Sequence, residues 1–272
     1  MKRDDYRGNI RPQRVWLTPS IIGLVAAYII LYLWQPGGMS VLNAVTDALS
    51  VIFALLAAWL AVKASRLFEP GATSRRAWLL FGAGMAAMMV AELVWAYYHD
   101  ILAQTLPFPS PADILWTISY VPILVSLLLM YRALGVQVDR RRKVSVAALY
   151  CGLLIVALVV SIGPAFSQPG QVATLDLLIN IYYLIGDLSA AVIATLSLLF
   201  LWQGLVSRPW LYMVTSVLLF VIADLTFSYG SANNLYATGS NVISGIVDVF
   251  YLAAYMLAAA GGYRQLTLHL SI

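Results

Sequence analysis

Eight apolar runs, each about as long as a bilayer is thick, constrain this chain more than any other feature. A helix needs about 20 apolar residues to cross roughly 30 Å of hydrocarbon. Runs of that length lie near Trp16–Trp34, Val41–Ala61, Ala77–Tyr98, Ala112–Tyr131, Val146–Phe166, Leu177–Trp202, Trp210–Tyr229 and Val242–Tyr263. Backbone groups in lipid must be satisfied within their own segment, so each run is expected to be a helix. The expected fold is therefore all-α, a polytopic membrane protein of about eight transmembrane helices. The 272 residues are 62% hydrophobic and only 10% charged, with a mean hydropathy of +0.85. That is too little charge to clothe a soluble domain. A soluble enzyme, a disordered chain and a disulfide scaffold are excluded, and the single Cys151 has no partner for an internal disulfide. The first run is longer than a signal core, and no clear small-residue cleavage site follows it.

The basic residues orient the runs. Lys2, Arg3, Arg7, Arg11 and Arg14 precede the first. Lys63, Arg66, Arg75 and Arg76 separate the second and third, and Arg132 and Arg140–Lys143 the fourth and fifth. Arg208 falls between the sixth and seventh, and Arg264 follows the eighth. All 16 thus fall on one side, which the positive-inside rule makes the cytoplasm, with both termini there. The Arg140–Lys143 run serves as a topology signal, and it also suits anionic lipid or a protein partner. Basic residues spread in this way give no support for nucleic-acid binding.

The chain repeats itself. Ala91-Glu92-Leu93 with Tyr97 in the third run matches Ala223-Asp224-Leu225 with Tyr229 in the seventh. Asp113, Trp116 and Tyr120 in the fourth match Asp248, Tyr251 and Tyr255 in the eighth. Thr46-Asp47-Ala48-Leu49-Ser50 in the second parallels Gly186-Asp187-Leu188-Ser189 in the sixth. Two four-helix units of like orientation are expected, related by an axis along the membrane normal. Their boundaries are a cytoplasmic tail over 1–15, a first unit over 16–134, a basic linker over 135–145, a second unit over 146–264 and a tail over 265–272.

Six of the twelve acidic residues, Asp47, Glu92, Asp113, Asp187, Asp224 and Asp248, fall within spans, all in the outer half. A charge there costs several kcal/mol unless it is paired, solvated or protonated. Pairing with Lys or Arg is excluded by the topology. The acids are then neutral hydrogen-bonding groups, or they line a water-filled vestibule, or they hold a cation from outside. Helical spacing places Asn43 and Ser50 on the face of Asp47, and Asn180 and Tyr183 on that of Asp187. Trp95 and Phe227 stand one turn after Glu92 and Asp224. Aromatic rings beside carboxylates suit an organic cation, and they equally suit helix packing. The candidate ligand-binding set is Asp47, Glu92, Trp95, Asp113, Trp116, Tyr120, Asp187, Asp224, Asp248, Tyr251 and Tyr255. Asp113, just after Pro109-Ser110-Pro111, is also a candidate helix cap. His99 with Asp100 and Glu92 is a candidate metal group beside its plainer reading as an interfacial histidine, while His269 lies on the opposite side. Neither a metal nor a cofactor is specified. Pro122 should kink the fourth helix. Gly82, Ala83, Gly84, Ala86 and Ala87 give the third a small-residue face.

The segment Leu106-Pro107-Phe108-Pro109-Ser110-Pro111-Ala112-Asp113, followed by Tyr120-Val121-Pro122, resembles the multi-span N-terminal sensory regions of bacterial diguanylate cyclases and related histidine kinases. The motif match covers residues 106–122, the architecture most of the chain. The resemblance implies a sensory or ligand-binding module of the bacterial inner membrane that signals to a cytoplasmic partner. Up to Ile272 there is no GGDEF or EAL sequence, no phosphoacceptor region and no nucleotide-binding loop. Both a stand-alone protein and a region of a longer one fit. No nucleophile elbow or HExxH motif points to catalysis. The alternatives are an accessory subunit, with other membrane subunits as partners, and a cation or proton-coupled transporter. The transporter is disfavoured because no polar path continues to the cytoplasm.

The orientation has a direct test. Cysteine placed at Ala237, between the last two runs, should react with an impermeant thiol reagent added outside. Cysteine at Thr73, between the second and third, should not. The opposite labelling overturns the orientation.

Overall fold

The computed structural model describes residues 17–104, 106–133, 139–167, 174–201, 208–233, 235–237 and 239–269. The five basic residues of the N-terminal tail, Trp16, Trp202 and the side chain of His269 lie outside the described residues. The described elements are all helical: α1 (Leu17–Trp34), α2 (Gly38–Ser65), α3 (Thr73–Ala96), α4 (Pro111–Ala133), α5 (Arg140–Ser167), α6 (Thr174–Leu201), α7 (Arg208–Ala232) and α8 (Val242–His269). A π turn, Tyr97–Ile101, continues α3. Seven of these helices are long and apolar enough to cross a membrane: α1, α2, α3 with its π turn, α4, α6, α7 and α8. The chain is a multi-pass membrane protein on that ground. α5 is as long as α2, and no charged side chain follows its first turn between Val144 and Ser167.

Several helices overrun the apolar runs read from the sequence. α2 begins at Gly38 and α8 continues to His269. Helical hydrogen bonding does not stop where the apolar side chains do. It stops where the backbone turns, as at Gly37 with φ of 94° before α2. Pro122 lies inside α4 and does not end it.

Six helices close a ring in the order α2, α3, α4, α6, α7, α8 and back to α2. α1 and α5 stand outside it. α1 leans on α8, whereas α5 leans on α6 and α7. α2 to α4 and α6 to α8 therefore make corresponding contacts, while the first helices of the two halves do not. α1 is tied by Tyr28 Oη to Thr46 Oγ1 at 2.8 Å, and by Tyr32 Oη, which accepts the Gly239 N–H at 2.7 Å. α5 is tied by Tyr150 Oη to Thr195 Oγ1 at 2.8 Å.

Lys63, Arg66, Arg75, Arg76, Arg132, Arg140–Lys143, Arg208 and Arg264 all belong to the end where α2 passes into α3; this is the basic end. The six span carboxylates occupy the opposite, acidic half. Between them, the basic half of the ring is apolar. Trp78, Phe81, Met85, Leu127, Met130, Met213 and Val214 are fully buried there, and Trp78 stacks on Trp210 at 4.7 Å.

Small residues set the helix spacing, with hydroxyl bonds as secondary ties. Ser126 donates to Ala77 O at 2.8 Å between α4 and α3, and Ser216 to Ala254 O at 2.7 Å between α7 and α8. Gly82 meets α2 at Ala58, Ala61 and Val62, whereas Gly84 meets α4 at Ser119 and Ile123. The small residues of α3 thus serve two neighbours instead of one face, and Ala83 is exposed. At Gly262 of α8, an added Cβ would stand 2.9 Å from the Leu60 carbonyl carbon and 3.1 Å from Ala61 N. Backbone cannot swing aside as a side chain can. Gly262→Val should therefore push α8 from α2 and cost about 1–3 kcal/mol. A fall of several degrees in thermal unfolding of the purified protein is the expected readout. Gly152→Ala, which meets nothing within 4 Å, should leave it unchanged.

Candidate functional site

A carboxylate with no cation in reach needs hydrogen-bond donors, and tyrosine hydroxyls supply most of them here. Tyr120 of α4 donates to Asp187 Oδ1 of α6 at 2.5 Å. Tyr255 of α8 donates to Glu92 Oε1 of α3 at 2.8 Å. Tyr251 of α8 donates to Asp224 Oδ1 of α7. Tyr183 of α6 donates to Asp113 Oδ1 of α4 at 3.0 Å, and Tyr236 to Asp248 Oδ1 at 2.8 Å. The sixth acid, Asp47, is bonded through Oδ2 to His99 Nδ1 at 2.8 Å.

These bonds form two levels. Glu92, Asp187 and Asp224 with Tyr120, Tyr251 and Tyr255 make the deeper one. Asp187 follows the start of α6 at Thr174 by about 20 Å at 1.5 Å per residue. The Asp187 and Asp224 carboxyls lie against each other, with the Tyr120 hydroxyl also near Asp224. Two carboxylates side by side repel unless a proton or cation lies between them. On the opposite side of the ring, Glu92 faces Trp116 and, further off, Asp47 and Asp224. The two groups have corresponding members: Glu92 with Trp116 and Tyr255, and Asp224 with Tyr251 and Tyr120. In each, one tyrosine comes from the other half of the chain.

The shallower level holds Asp47, Asp113 and Asp248. Asp113 closes a capping box at the start of α4. Its Oδ2 accepts the Ser110 N–H at 2.7 Å and the Ser110 hydroxyl at 2.6 Å, and its own N–H reaches Ser110 Oγ at 3.2 Å. The Ser-x-x-Asp spacing carries this in the sequence. The matched residue Asp248 lies a turn deeper in its helix, and Asn241 caps α8 through the Ser244 N–H at 3.0 Å.

The stripe Asp113, Trp116 and Tyr120 does not act as one group. Asp113 bonds Ser110 and Tyr183, Trp116 faces Glu92, and Tyr120 bonds Asp187. Trp95 stands 6.0 Å from the His99 ring and 6.2 Å from Trp116. Phe227 packs on Tyr236 at 4.7 Å. Asn180 is exposed, away from Asp187. His99 lies in the π turn and pairs with Asp47 of α2, not with Glu92. Tyr183, Tyr236 and Ser110 complete the site but were not in the candidate set. Tyr183 had a periodic signal, one turn before Asp187. Tyr236 sits in the loop before α8, where no periodicity marks it.

Exposure separates the acids further. Asp47, Asp113, Asp187 and Asp248 are buried at 6% or less. Glu92 and Asp224 remain partly open. Glu92 is bonded to Tyr255 across the ring and faces Asp47 and Asp224, so it points inward.

No family model, curated protein or solved structure matches the chain.

Tyr120→Phe removes a donor from a buried carboxyl and should cost about 1–3 kcal/mol. Tyr182→Phe loses only an exposed bond to Thr117 O and should cost much less. Thermal unfolding of the two variants beside the wild type checks the difference.

Proposed function

We propose that the protein is a membrane-embedded sensory or ligand-binding module whose acidic, aromatic core opens to the outside and takes a cationic ligand. The observation that carries this reading is the pair of crossing bonds, Tyr120 to Asp187 and Tyr255 to Glu92. Each ties a carboxylate of one half to a tyrosine of the other. A cation that competes for the carboxylate oxygens weakens those ties and favours a second packing of the halves. Binding the two packings differently is the condition for a ligand to signal at all. The basic ends of α4 and α8 then shift, within reach of a cytoplasmic partner.

The corresponding contacts of α2–α4 and α6–α8, and the paired carboxylate groups, support a repeat confined to these three-helix sets. The differing places of α1 and α5 argue for leaving those helices out of it. The charge distribution supports α5 as an eighth span with both termini in the cytoplasm. The apolar basic half of the ring, from Met85 to Met130 and Met213, speaks against a transport path. The resemblance of residues 106–122 to bacterial sensory regions points the same way as the site.

The test is thermal unfolding across a panel of organic amines, metal ions and pH, on wild type and the Glu92→Gln/Asp224→Asn double variant. An amide keeps a donor and an acceptor but loses the capacity for charge. A saturating ligand at about 100 times its Kd adds about 2.7 kcal/mol, a shift of several degrees. For an organic amine that shift should appear in the wild type and vanish in the double variant, which should still fold. A wild type whose unfolding ignores amines, metals and pH overturns the reading, and the acids then serve helix packing in an accessory subunit.

A further inference from the structure

At the mouth of the acidic end, Asp47, His99 and Asp100 come together from α2 and the π turn after α3. One ligand atom from each lies within 4.8 Å of the others. Asp47 is buried, His99 half-buried and Asp100 exposed, so the group runs from the protein interior to its surface. His99 is held from both sides: Nδ1 bonds Asp47 Oδ2 at 2.8 Å, and Nε2 meets Asn43 Nδ2 at 3.1 Å. The amide oxygen of Asn43 is buried and has no hydrogen-bond partner among the described residues. A buried acceptor left without a donor costs about 1–3 kcal/mol and asks for an occupant.

We infer that Asp47, His99 and Asp100 form a binding site for a divalent transition-metal cation, with the Asn43 amide oxygen as a further donor. Three features point to this class of ligand. The two carboxylates lie near each other, with no Lys or Arg among the described residues of this end to offset them. Imidazole beside carboxylate oxygens suits zinc, manganese or iron better than calcium or magnesium, which favour all-oxygen shells. Ligand atoms about 2.1 Å from one ion lie roughly 3 to 3.5 Å apart. The ligand atoms here lie within 4.8 Å of one another, so an ion draws them in and takes the place of the His99–Asp47 bond, and Asp100, the exposed member, is freest to move. Binding fixes the π turn against α2. The site stands whatever the deeper carboxylates hold, because it shares no ligand with the Glu92, Asp187 and Asp224 level.

The experiment uses the full chain without a histidine tag, stripped with chelator and titrated with Zn²⁺ or Mn²⁺. Calorimetry gives affinity, and elemental analysis after dialysis gives stoichiometry. One ion per chain is expected, and excess Mg²⁺ or Ca²⁺ should not displace it. Asp100→Asn and His99→Gln should each weaken binding at least about tenfold. Asp100 is exposed, so its variant should elute and unfold like the wild type. His269→Gln controls for the second histidine and should bind normally. Three outcomes overturn the site: no saturable uptake at millimolar ion, binding unchanged in both Asp100→Asn and His99→Gln, or binding lost only in Glu92→Gln/Asp224→Asn. The last assigns the ion to the deeper carboxylates.

Discussion

Carboxyl groups placed where no Lys or Arg side chain reaches them are the constraint on which the acidic half of this structure depends. Leaving such a group unsatisfied in a poorly solvating site costs several kcal/mol. Tyrosine answers it because its ring is apolar enough for a helix interface while its hydroxyl is a donor. Five of the six span carboxylates take a tyrosine hydroxyl, and the sixth takes His99. Since each donor usually belongs to a different helix from its acceptor, satisfying the acids also fixes which helices are neighbours. Tyr183 binds α6 to α4 and Tyr251 binds α8 to α7, while Tyr255 ties α8 to α3 across the ring.

The basic half is held by a different principle. Without a hydrophobic force between helices in lipid, close approach and dispersion carry the packing. The alanines Ala54, Ala57, Ala58 and Ala61 of α2 are buried, Ala58 and Ala61 against Gly82 of α3, and Gly262 lets α8 approach the α2 backbone at Leu60 and Ala61. The ring is thus polar and specific at one end, and apolar and tightly spaced at the other.

Much of this was legible in the sequence. Apolar length gave the helices, and the matched Glu92/Asp224 and Tyr120/Tyr255 positions marked residues that end up in corresponding groups. Two things were not legible. Periodicity places residues on a face of one helix but cannot say which neighbour that face meets, so Asp113, Trp116 and Tyr120 read as one stripe although they serve three partners. The π turn at Tyr97–Ile101 adds a residue to the helical period, and nothing in the sequence YYHDI announces it. His99, within that turn, bonds Asp47 of α2. The sequence marks Asp113 as a helix cap, whereas the structure makes Ser110 the cap and Asp113 its partner three residues on, a local interaction that the spacing brings within reach.

The packed layer of Trp78, Phe81, Met85, Leu127, Met130, Met213 and Val214 has an electrical consequence. It is a low-dielectric partition spanning only the basic half of the ring. A voltage across a membrane falls mainly where the dielectric constant is lowest, and one elementary charge moved through all of it exchanges about 2.3 kcal/mol per 100 mV. With water admitted to the acidic half, nearly all of that drop lies across the tryptophan and methionine layer. The carboxylates above it then follow the composition of the solution they face and feel little of the membrane potential.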